Sequence, residues 1–150
     1  MALENETIET VLTPGGDTYI PVKQGSGVYN LTFSQPLGAL SSGSGSMMAP
    51  FALGHRFKIL AFGYRTSVVG LGTGASQPFR LAVNETNVTG GVLTLTLANQ
   101  INVGNIAQST PLTAGTEGSA TDTITMSKDA GTVFTAGDGA FYLRIQNLEG

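Results

Sequence analysis

Gly91-Val92-Leu93-Thr94-Leu95-Thr96-Leu97-Ala98 is the most informative stretch of this chain. Its leucines and threonines alternate. Successive side chains of an extended backbone point to opposite faces. Leu93, Leu95 and Leu97 therefore share one face, and Thr94 and Thr96 the other. The segment reads as a β-strand with an aliphatic face and a hydroxyl face.

The same pattern recurs along the chain. Phe141, Leu143 and Ile145 alternate with Tyr142, Arg144 and Gln146. Phe79, Leu81 and Val83 alternate with Arg80, Ala82 and Asn84. Ile124 and Met126 share a face within 121–126, and Tyr29, Leu31 and Phe33 form a set within 28–34. The stretch 56–69 is longer and mostly apolar, which predicts a central strand buried on both faces and bent at Gly63. Weaker strands fit 7–13 and 18–22. No sustained 3.6-residue apolar period competes with these readings.

Glycine and proline punctuate the strands. Pro14-Gly15-Gly16, Gly25-Ser26-Gly27, 70–74, Gly90-Gly91 and Gly137-Asp138-Gly139 read as turns or loops. Ser41–Ser46 reads as a flexible loop, 47–51 as a single helical turn, and 104–120 as a long polar loop. The expected fold class is all-β: a jelly-roll-like β-sandwich of about eight strands, with a closed barrel as competitor. The expected organisation is a short N-terminal arm, 1–16, followed by one β-sandwich domain, 17–150. The arm interleaves Glu4, Glu6 and Glu9 with Leu3, Ile8, Val11 and Leu12, a pattern that can add a strand to its own sheet or to a neighbour's.

Composition narrows the function. Hydrophobic residues make up 41% of 150, a normal share for a folded domain, and there is no cysteine. Charged residues make up only 11%, against about 25% in typical domains. A surface poor in charge has little self-repulsion and tolerates close association. Net charge is -3 and the seven basic residues are scattered, which argues against nucleic-acid partners. No apolar run reaches the roughly 20 residues that span a bilayer, so no membrane partner is expected. The acidic start, MALENETIET, has no apolar core, so synthesis in the cytoplasm without a signal peptide is expected.

Catalytic and metal chemistry find little footing. His55 is the single histidine, so no imidazole cluster can form. Nothing resembles the Gly-x-Ser-x-Gly elbow of a serine hydrolase. Asp122, Asp129 and Asp138 each sit beside turn residues, and calcium-loop spacing is missing. Gly70-x-Gly72-x-Gly74 is not followed by the helix that a dinucleotide site requires. No catalytic residue, metal or cofactor is expected. Tyr19, Tyr29, Tyr64 and Tyr142 could offer stacking faces to a sugar, but edge or core positions explain them more simply.

A cysteine-free β chain rich in Thr, Gly and Ala resembles structural proteins of tailed bacteriophages. The resemblance is carried by 132–146, where Gly137-Asp138-Gly139 precedes the alternating strand Phe141–Gln146, and by 17–22. The chain resembles capsid decoration (cement) proteins, small viral jelly rolls that are often trimeric. The resemblance implies a homotrimer on the virion capsid surface, with the major capsid protein as partner and contacts from Leu3, Ile8, Val11, Leu12 and one end of the sandwich. The rival expectation is a tail-fibre or receptor-binding head domain that grips glycan through loops 41–48 or 104–120.

Overall fold

The computed structural model describes residues 27–149. The expected arm, the strands at 7–13 and 18–22, and the boundary at residue 16 lie outside the described residues.

Among the described residues, ten strands form two antiparallel sheets. The first contains β1 (Val28–Ser34), β10 (Ala136–Asn147), β4 (Phe57–Leu71) and β7 (Ile106–Gln108), in that spatial order. A short β8 (Glu117–Gly118) also pairs with β4. The second contains β2 (Gly45–Ser46), β9 (Thr123–Lys128), β5 (Ser76–Val83) and β6 (Thr86–Thr96), with β3 (Phe51–Ala52) also on β9. Counting β2 with β3, and β7 with β8, leaves eight strands distributed as in a jelly roll.

The alternations place the core as expected. Phe79, Leu81 and Val83 point inward, as do Leu93 and Leu95, Ile124 and Met126, and Phe141, Leu143 and Ile145. Tyr29, Leu31 and Phe33 pack against the same core from the edge strand β1. Phe141 joins the two sheets. Its ring lies edge-on to Phe79 at 4.8 Å and to Tyr64 at 4.9 Å, the geometry that aromatic quadrupoles favour.

Six local readings are corrected. β4 is not buried on both faces: Phe57 and Ile59 point in, then Phe62, Tyr64 and Thr66. An irregularity in the β4–β10 register skips Leu60 and shifts the buried set from odd to even positions, which makes the sequence look continuously apolar. Gly90-Gly91 is not a turn but a kink inside β6, where the β5–β6 register shifts. The chain reverses instead at Asn84-Glu85, both at positive φ (50° and 67°), between the paired residues Val83 and Thr86. That is a type I′ hairpin.

Gly137-Asp138-Gly139 lies inside β10, where irregular pairing with β4 brings the backbones close. Residues 47–51 form no helical turn. Their backbone serves β9 instead: Met47 N–H donates to the Met126 carbonyl at 2.8 Å, and Phe51 pairs with Ile124. The loop 104–120 carries β7 and β8, which extend the first sheet beyond β4. Finally, the opening strand ends at Thr96. A capping box follows: Thr96 Oγ1 accepts from Asn99 N–H at 3.4 Å, and Asn99 Oδ1 accepts from Thr96 N–H at 2.8 Å. The cap turns Leu97–Gln100 into a short 3-10 helix.

Candidate functional site

Four connections meet at one end of the sandwich: 35–44, 72–75, 97–105 and 129–135. Hydrogen bonds tie them together. Gly131 N–H donates to the Ser42 carbonyl at 2.9 Å, Thr135 N–H to Leu71 at 2.8 Å, and Gly104 N–H to Thr66 at 2.8 Å. Buried amides hold their bases. Gln100 Oε1 accepts from Thr66 Oγ1 at 2.7 Å, and Gln77 Nε2 donates to the Ser41 carbonyl at 3.2 Å. Both glutamines are fully buried. Gln100 uses both its amide oxygen and its amide nitrogen, whereas Gln77 bonds through Nε2 and leaves its buried Oε1 unpaired. Such side-chain bonds help to hold the loops they join.

Lys128 is buried at the root of the same end. Its ammonium donates to the Gly43 and Asp129 carbonyls. Burial pulls its pKa below the usual lysine value, and the nearby Asp129 carboxylate opposes that shift. Asp129 also pairs with Arg80 at 2.8 Å, the one ion pair among the described residues. Both partners are about two-fifths exposed, so the pair contributes little to stability.

The tips of these connections are apolar. Ile101, Val103 and Val133 are exposed on them, with Val68, Leu71 and Ile106 on the adjoining strand ends. Val103 reaches 67% exposure. These six belong to a set of eight large exposed hydrophobics in the described chain, so apolar exposure is concentrated at this end. Exposed aliphatic groups that are grouped rather than scattered mark an association surface.

The sequence-derived interface residues Leu3, Ile8, Val11 and Leu12 all lie outside the described residues. His55 sits at the opposite end, between β3 and β4. Its Nδ1 lies 2.9 Å from the Arg56 carbonyl, so Nδ1 carries a proton, and Nε2 lies 2.6 Å from the Tyr29 hydroxyl. Tyr64 is in the core, and its hydroxyl donates to the Gln35 carbonyl at 2.7 Å. Among the described residues no three of His, Asp and Glu gather as metal ligands. No helix of the described chain is long and apolar enough to cross a membrane.

Composition hid the loop end because its residues are dispersed in sequence. Leu71, Ile101 and Val133 carry no local motif. The one legible signal is an aliphatic residue inside a Gly- or Asn-rich connection, as in Gly70-Leu71-Gly72 and Ile101-Asn102-Val103-Gly104.

Comparison with protein-family models, curated proteins and solved structures gives no match.

Proposed function

We propose that this chain is a non-enzymatic virion structural protein, which decorates a bacteriophage capsid and stabilises it by binding between capsomers. The observation that carries this reading is the apolar loop end of a sandwich otherwise poor in charge. Jelly rolls occur among viral structural proteins and also among lectins and cupins, so the fold supports the reading without deciding it. The loop end adds a specific surface. Burying Leu71, Ile101, Val103 and Val133 against a partner is favourable at about 25 cal/mol per Å² of apolar area. The underlying amides keep the loops in place, so little ordering entropy is lost on docking.

The proposed partner is the major capsid protein. Each contact would be of standard size, on the order of 1,000–2,000 Å². A homotrimer engages several sites at once and gains avidity. Leu3, Ile8, Val11 and Leu12 belong to the proposal on sequence grounds alone, as an added strand or clamp.

Light scattering on a sizing column, followed by co-sedimentation with capsids of the encoding phage, tests this. Three copies of 15.4 kDa give about 46 kDa. A trimer that pellets with capsids, or a monomer that assembles only on them, is the expected result. A chain that stays in the supernatant at saturating concentration overturns the reading.

A further inference from the structure

The outer face of the β1–β10–β4–β7 sheet holds a second feature, which meets the loop end at Ile106. Three rows cross it in register. Asn30 pairs with Arg144, which pairs with Ala61. Thr32 pairs with Tyr142, Tyr142 with Gly63, and Gly63 with Gln108. Ala140 pairs with Arg65, which pairs with Ile106. Small residues, Ala61, Gly63 and Ala140, floor this face, and longer side chains rise around them. The result is a trough of about 350 Å³, at the small end of the range for ligand sites.

Tyr142 occupies its centre. A Cβ placed on Gly63 would lie 2.5 Å from the Tyr142 ring edge and hydroxyl, so the ring lies across Gly63 where a side chain would otherwise stand. Gln108 Nε2 donates to the Tyr142 hydroxyl at 2.8 Å and fixes the ring's far end. Arg144 and Arg65 stand one row to either side, both exposed. Rows on one face of a strand are about 7 Å apart, so the guanidinium groups flank the ring. Among the described residues neither arginine has a carboxylate partner, and no acidic side chain lines the trough. Two of the chain's seven basic residues thus make one cleft cationic in a protein of net charge -3.

We propose that this trough binds a single carboxylate-bearing saccharide residue. Guanidinium groups recognise a carboxylate through paired N–H donors. Tyr142 presents an aromatic surface suited to the apolar face of a pyranose ring. Asn30, Thr32 and Gln108 supply amide and hydroxyl partners for ring hydroxyls. Net negative charge, and the scatter of the other basic side chains among the described residues, disfavour a polyanion such as nucleic acid. The site does not depend on the capsid reading.

Methyl β-glucuronide is a suitable probe, titrated into the full chain and followed by amide NMR shifts. Methyl β-glucoside and sodium sulfate serve as the neutral and plain-anion controls. The expected result is millimolar glucuronide binding that shifts Thr32, Gly63 and Gln108, with each control at least about tenfold weaker. R65Q and R144Q should each weaken glucuronide about tenfold, Y142A similarly, while Y142F keeps the ring and most of the affinity. Both arginines are on the solvent face, so their variants are expected to fold; unchanged thermal melting confirms this. Sulfate binding as tightly as glucuronide reduces the trough to an adventitious ion site and overturns the proposal. So does glucuronide binding that survives R65Q and R144Q together, or no glucuronide-induced shift at all.

Discussion

Tyr64 shows how a single buried group links the core to solution conditions. Its phenol is pushed well above the usual tyrosine value, first by burial and then by the nearby Asp138 carboxylate. The neutral form is therefore favoured in the folded state. The unfolded chain releases this proton near pH 10, while the folded chain retains it. Above that pH the folded state binds more protons than the unfolded one, so stability falls as pH rises. The loss attributable to this residue is at most about 1.4 kcal/mol per pH unit. Tyr64→Phe should flatten the alkaline decline in thermal melting between about pH 9 and 11. At neutral pH the same variant loses the bond to Gln35 and should cost about 1 kcal/mol. A Tyr64→Phe protein with the wild-type alkaline slope would contradict this account. The inward position of Tyr64 was not legible locally, because the skipped Leu60 reverses the phase of β4 just upstream.

At the scale of elements, the hairpin between β5 and β6 departs from the best turn chemistry. Asn84 and Glu85 both hold positive φ, and Glu85 pays a steric penalty that glycine would not. Glu85→Gly should therefore raise stability by about 0.5–1 kcal/mol, measured by urea unfolding. No gain would mean that the turn is relaxed in a way its dihedral angles do not suggest. The kink in β6 behaves oppositely. Gly90 has φ +86°, and a Cβ there would lie 2.0 Å from the Pro111 carbonyl oxygen. Gly90→Ala must move the backbone at 111 and should cost at least about 2 kcal/mol. Strand alternation revealed most of these elements. It could not reveal where the strands break, since Gly90-Gly91 and Gly137-Asp138-Gly139 look like turns by composition. Their glycines instead permit close backbone approach within strands, a need created by neighbouring strands distant in sequence.

For the whole molecule, the groups that hold the loop end are separate from those that the proposed docking would use. The amides of Gln77 and Gln100 hold the loop end from within, while Ile101 and Val103 project outward. Ile101→Asp combined with Val103→Asp should leave the melting temperature within about 3 °C of wild type. The same pair should reduce capsid co-sedimentation at least about tenfold, because a charge would be buried on docking. Undiminished binding would remove this end from the interface and leave the N-terminal segment as the candidate contact.

The sequence by itself determined the all-β class, the inward face of most strands and the low-charge character of the surface. These are local properties, since alternation needs only the two-residue period of an extended chain. Tertiary structure alone decided the jelly-roll strand order, the phase change in β4, and the strands hidden in 104–120 and 45–52. It also decided both candidate surfaces. Leu71, Ile101 and Val133 share one end because the end of β4 and the connections 97–105 and 129–135 are hydrogen-bonded there, and Arg65, Tyr142 and Arg144 share one face because β4 and β10 pair in one register. Pairing between strands some 80 residues apart depends on the global packing of two sheets, and no local pattern encodes that choice.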